Sequence, residues 1–161
     1  MYFHLEHEFA CSANALLEAM LEPAFHLSLE LPDLGAPEVL EHEDDGVVGR
    51  LRLRYAYLGH LDPIARRLLG GGDLMWIQEI RIDRSAAGGV LHFEAERQPR
   101  LLHGDATVEV RPVTGAVRRT LDGEVVVGVP IVGAAAERRI VNGLRARLDI
   151  EAQALAASLP S

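Results

Sequence analysis

The last thirty residues constrain this chain most. Gly123-Glu124-Val125-Val126-Val127-Gly128-Val129-Pro130 reads as a strand. It runs through Ile131-Val132-Gly133 into one unbroken amphipathic pattern over roughly Gly133–Ser158. Ala136, Ile140, Leu144, Leu148, Ala152 and Leu155 recur at spacings of four and three, an apolar stripe down one helix face. Arg138, Arg139, Arg145, Arg147, Asp149 and Glu151 fall mainly off that stripe. From Ala36 to this helix the chain reads as short strands with period-two alternation. A lone long helix that closes an antiparallel sheet must lay its stripe on one sheet face. The expected architecture is α+β, with an opportunity for a cavity between helix and sheet.

The earlier segments agree. Phe3, Leu5, His7 and Phe9 share one face of a strand. Ser12 is placed as N-cap of a helix through Ala13–Leu21. Glu22-Pro23 then starts a second short helix. Val39–Glu43 is a polar strand, and Asp45-Gly46 is a hairpin signal. In the next strand Arg50, Arg52 and Arg54 point to water, while Leu51, Leu53, Tyr55 and Tyr57 point to the core. Asp62-Pro63 starts a short helix that Gly70-Gly71-Gly72 ends, a segment expected to cap one mouth of the cavity. Trp76, Gln78, Ile80 and Ile82 share a strand face, and Gly88-Gly89 is expected to be a turn. Leu91, Phe93 and Ala95 point inward in the following strand, as do Ala106, Val108 and Val110 in the one after it.

Composition narrows the function classes. The 161 residues suit one domain, residues 1–161. A net charge of -8, with no basic arm, argues against nucleic acid. All 16 basic residues are arginine, which excludes Schiff-base and phosphate-loop lysines. One cysteine, Cys11, excludes an internal disulfide. No stretch approaches a membrane span, and the first residues lack the pattern of a signal peptide, so a cytoplasmic location is expected. The seven histidines are scattered over different elements and form no metal motif; they read as surface or rim residues. No cofactor is implied, and self-association into a homodimer is left open.

Three segments carry a family resemblance. They are His7-Glu8-Phe9 followed by Ala15-Leu16-Leu17 and Glu22-Pro23-Ala24-Phe25, then Ile77-Gln78-Glu79, then Val129-Pro130-Ile131-Val132-Gly133 with Glu137. With the element order, these resemble the helix-grip superfamily of START, polyketide-cyclase and birch-pollen-allergen proteins (SRPBCC), and within it a bacterial family of uncharacterised proteins. The resemblance implies a curved seven-stranded antiparallel sheet around the C-terminal helix, with an apolar cavity between them. Better-known members bind lipids, sterols, polyketides or plant hormones, and a few are cyclases or hydrolases. None of the motifs is catalytic, so no active site is carried over.

The candidate ligand-binding residues are His7, Tyr55, Tyr57, Trp76, Gln78, Phe93, Ile140, Leu144 and Leu148. His7 and Gln78 interrupt apolar faces and need partners if buried. They either orient a ligand or bond the backbone or each other. The aromatic set either lines the pocket or fills the core. Two function classes follow: binding of a small apolar or amphipathic ligand, such as a lipid, polyketide or isoprenoid-like molecule; or a cyclase or dehydratase that uses His7 or a tyrosine as general acid/base.

Overall fold

A computed structural model describes residues 1–60, 63–68, 71–131 and 133–160. The chain runs β1 (Tyr2–Phe9), α1 (Ala13–Leu21), α2 (Pro23–Ser28), β2 (Glu38–Asp44), β3 (Val48–Ala56), α3 (Pro63–Leu68), β4 (Met75–Asp83), β5 (Gly88–Ala95), β6 (Leu102–Val113), β7 (Ala116–Val127) and α4 (Gly133–Ser158). A single 3₁₀ turn, Arg84–Ala86, joins β4 to β5. The strands form one antiparallel sheet in the order β1-β7-β6-β5-β4-β3-β2. Strands β2 to β7 pair in chain order, with α3 in the β3–β4 connection, and β1 adds beside β7. The first two strands therefore lie at opposite edges, and α1 and α2 carry the chain from one edge to the other.

Local chemistry sets these boundaries. Ser12 Oγ accepts from the Ala15 N–H at 3.1 Å and caps α1, as expected. Glu22 caps α2 ahead of Pro23 by accepting from the Ala24 N–H at 3.2 Å. At the β2–β3 turn Asp45 Oδ1 accepts from the Val47 and Val48 N–H groups, and Gly46 takes φ of 91°. Glu137 reaches back from the first turn of α4 to accept from the Val127 N–H at 3.1 Å, which fixes how α4 leaves β7. Of the signals expected to bound α3, Asp62 and Gly70 lie outside the described residues.

One expectation is corrected. Gly88 and Gly89 are not a turn but the first residues of β5. The turn is the 3₁₀ segment, closed by Ala87 at φ of 49°. The glycines answer a different need: a Cβ at Gly88 would stand 2.2 Å from the Val108 carbonyl oxygen, and one at Gly89 1.8 Å from that of Arg81. Only glycine permits that approach of neighbouring backbones.

The 26-residue α4 spans about 39 Å at 1.5 Å per residue. It grips the concave sheet face. Leu144, Leu148, Ala152 and Leu155 are buried in one core with Leu53, Tyr55, Val108, Leu121 and Val125, and Ile140 and Val127 pack at its edge. Leu16, Leu17, Met20 and Leu21 of α1 close this core from another side. No helix among the described residues is long and apolar enough to cross a membrane.

Candidate functional site

Period-two alternation points Trp76, Gln78, Tyr55, Phe93, Leu102 and Val127 toward α4. How far the space behind them is filled depends on the helix residues opposite. Over about the first four turns of α4 these include Ala136, Gly143 and Ala146. Side chains this small do not reach the sheet, and a cavity of about 460 Å³ remains. Its inner wall is Leu74, Trp76, Leu102 and Val129, all buried. Pro32, Asp33, His60 and Arg139 form an exposed rim. Two non-glycine residues with left-handed backbone flank it: Asp33 at φ of 60°, and Ile131, two positions after Val129, at φ of 71°. Such conformations concentrate at functional sites.

Farther along α4 the larger leucines close the gap. Tyr55, Gln78, Leu144, Leu148, His26 and Glu151 surround a space of only about 20 Å³, the size of one water. Trp76 and Arg147 border both spaces and form the partition between them. Arg147 places its guanidinium 5.5 Å from the Trp76 ring centroid, and its Nε donates to the Gly143 carbonyl at 3.2 Å. Burial pushes the Arg147 pKa below its ordinary value, opposed by Tyr57, Asp33 and Tyr55. Burial, with Glu151 nearby, pushes the Tyr55 hydroxyl well above the usual range.

Of the nine sequence candidates, Tyr57, Trp76 and Ile140 border the large cavity. Tyr55, Gln78, Leu144 and Leu148 border the small space. Phe93 borders neither; it is fully buried and stacked on Trp76 at 4.9 Å, supporting that wall from behind. His7 also borders neither. Its Nδ1 accepts from Arg119 Nη2 at 3.2 Å and its Nε2 donates to Asp149 Oδ1 at 2.8 Å. The Arg119 bond fixes the Nε2–H tautomer of the neutral ring. Gln78 makes no side-chain hydrogen bond among the described residues and faces the small space.

Several residues escaped the sequence reading. Arg119 is 0% exposed, and its Nη1 donates to Glu151 Oε1 at 2.6 Å, a buried ion pair that locks β7 to α4. Glu151 was expected off the helix stripe, yet it lies on the seam Leu144–Leu148–Glu151–Leu155. Two opposite charges at inward positions of a strand and a helix were the available signal. Arg147, also expected off the stripe, lines the cavity. His26 is no rim residue; it is buried, with Nε2 bonded to the Met20 carbonyl at 2.8 Å. Among the described residues no group of three His, Cys, Asp or Glu is disposed to hold a metal. An open concavity of about 690 Å³ on the outer sheet face, beside Tyr2, His4, Asp105, Asp122 and Glu124, is washed by solvent and encloses little.

No curated protein matches this sequence. Several solved structures share its fold. The Zhui aromatase/cyclase from Streptomyces sp. R1128 is 14% identical, with a TM-score of 0.59 over 98% of this chain and 93% of that one. Ara h 8.0201 is 10% identical, with a TM-score of 0.65 over 98% and 99%. Norcoclaurine synthase from Thalictrum flavum is 18% identical, with a TM-score of 0.57 over 98% and 84%. At these identities the likeness establishes the fold, the helix-grip arrangement expected from the sequence. At the level of sequence, residues 4–159 match the family described as "Protein of unknown function (DUF2505)", and the chain belongs to that family.

Proposed function

We propose that this protein binds a small apolar or amphipathic molecule in the cavity between the sheet and the Ala136–Arg147 stretch of α4. The observation that carries the reading is the cavity itself: about 460 Å³, walled by Leu74, Trp76, Leu102, Val127, Val129 and Ile140, with a few polar groups at its rim and partition. Pockets for small molecules occupy about 300–1,000 Å³ and combine apolar walls with a few placed polar groups. A ligand that buries about 300 Å² of apolar surface gains roughly 7 kcal/mol gross at about 25 cal/mol per Å². Part of this is offset by the entropy of association. A dissociation constant of roughly micromolar order is expected.

The acid/base alternative has less support. His7 is tied at both ring nitrogens to Arg119 and Asp149, away from the cavity. The buried hydroxyl of Tyr55 is disfavoured as a base by its raised pKa.

Trp76 gives a direct test, because it is the only tryptophan in the chain and lies in the cavity wall. Titration with a neutral naphthalene probe should change Trp76 emission saturably, and a second apolar ligand should displace the probe. No saturable change, together with a crystal structure whose cavity is filled by side chains, would end the proposal.

A further inference from the structure

The half-buried guanidinium of Arg147 at the cavity partition specifies more than an apolar occupant. Most inward or strand-borne arginines here already have a carboxylate. Arg119 has Glu151, Arg50 has Glu41 and Glu79, Arg54 has Glu38 and Glu96, and Arg84 has Glu18 and Asp44. Arg147 is held by the Gly143 carbonyl through Nε and by the Trp76 face, and no carboxylate among the described residues lies within 4 Å of it. Asp33 acts on it only at longer range, from the exposed rim. Glu151, one turn along α4, is engaged by Arg119. The positive charge thus borders a low-dielectric cavity with its terminal nitrogens uncommitted to any anion. A cation in that position is costly to desolvate unless an anion meets it. A planar guanidinium matches a carboxylate through two parallel hydrogen bonds.

We propose that the natural ligand is an amphipathic carboxylate, its apolar body against Leu74, Leu102, Val129 and Ile140 and its anionic head on Arg147. This rests on the apolar-ligand reading above and adds the head group. Arg147 is then a specificity-determining residue: it selects the anion over a neutral molecule of the same shape. The rim residue Arg139 adds less, because water screens an exposed charge.

The test is calorimetric titration of the full chain at neutral pH with decanoate and with decan-1-ol, which differ only in the head. Wild type should bind decanoate about tenfold or more tightly than the alcohol, the effect of one charge-assisted hydrogen bond. Arg147→Met should abolish that preference, with a loss for decanoate much larger than any for the alcohol, and Arg147→Lys should keep part of it. If wild type binds both equally, or Arg147→Met weakens both equally, the anionic head group is wrong and the apolar-ligand reading stands. If wild type binds neither, both fail. Should Arg147→Met not fold, the wild-type pair and Arg147→Lys decide the question.

Discussion

The two halves of the helix–sheet interface solve the same geometric problem in opposite ways. Toward the C-terminal end, Leu148, Ala152 and Leu155 fill the space, and a buried arginine on the sheet, Arg119, meets a buried carboxylate on the helix, Glu151. Toward the N-terminal end, Ala136, Gly143 and Ala146 leave the space open, and a partly buried arginine on the helix, Arg147, meets no carboxylate among the described residues. One end is filled by side chains and pairs its buried charges, whereas the other keeps an open apolar cavity beside a cation. Packing at native density leaves few voids larger than a water, so a 460 Å³ cavity is a departure that needs a reason. The contrast separates a seam filled by the chain's own side chains from a cavity that the proposed ligand would occupy.

The strongest way to break the comparison is at the closed end. Glu151→Leu leaves Arg119 buried beside His7 without its carboxylate, and should destabilise the protein by about 3–5 kcal/mol in urea denaturation. Pairing it with Arg119→Met should recover most of that loss, because two apolar groups replace two charges. A single-variant loss under about 1 kcal/mol would mean the pair is hydrated.

A paired truncation comes next. Leu144→Ala removes a side chain that is 3% exposed in the filled core and should cost about 2–5 kcal/mol. Ile140→Ala removes one that already faces open space and should cost about 1 kcal/mol or less, since little new cavity is made. Equal losses from the two would erase the difference between the halves.

Filling the open end should do the reverse. Ala136→Leu places bulk in the cavity and should weaken apolar-probe binding about tenfold or more, with stability changed by about 1 kcal/mol or less, since the added atoms enter space that is already empty. Retained affinity would put the binding site elsewhere.

The smallest effect lies away from both halves. The Arg84 guanidinium, helped by the Gly46 N–H, holds the Asp44 carboxyl down from 3.8 to about 2. A carboxylate with its pKa depressed in the folded state stabilises fully above its unfolded pKa, and loses that contribution as pH falls toward the folded value. Asp44→Asn should therefore flatten the dependence of stability on pH between about 4 and 2 and leave probe binding untouched. An unchanged acid profile would mean that this exposed pair is screened by solvent.

Much of this was legible in the sequence. Period-two alternation fixed the inner faces of β3, β4 and β6, and the stripe Ile140–Leu144–Leu148 fixed which helix face is buried. The cap Ser12 and the helix-starting Pro23 were visible because both signals are local. The location of the opening was not. It depends on residues far apart in sequence, such as Ala136 and Gly143 against Trp76 and Leu102, whose summed volume falls short of the gap. Glu151 was misplaced for a related reason: its charge argued for solvent, and only the register of β7 against α4 reveals Arg119 opposite it. Gly88-Gly89 carried a turn signature, but their true constraint is the backbone of two neighbouring strands, which no local pattern encodes.

The most direct test of the central claim is a residue-resolved map of amide chemical shifts on titration with decanoate. Saturable changes should cluster at Tyr57, Leu74–Trp76, Leu101–Leu102, Val127–Val129 and Ala136–Arg147, and fade beyond Leu148 toward Glu151 and Leu155. Changes centred on Arg119, His7 and Glu151, or scattered over the outer sheet face with no focus on the cavity, would contradict the account.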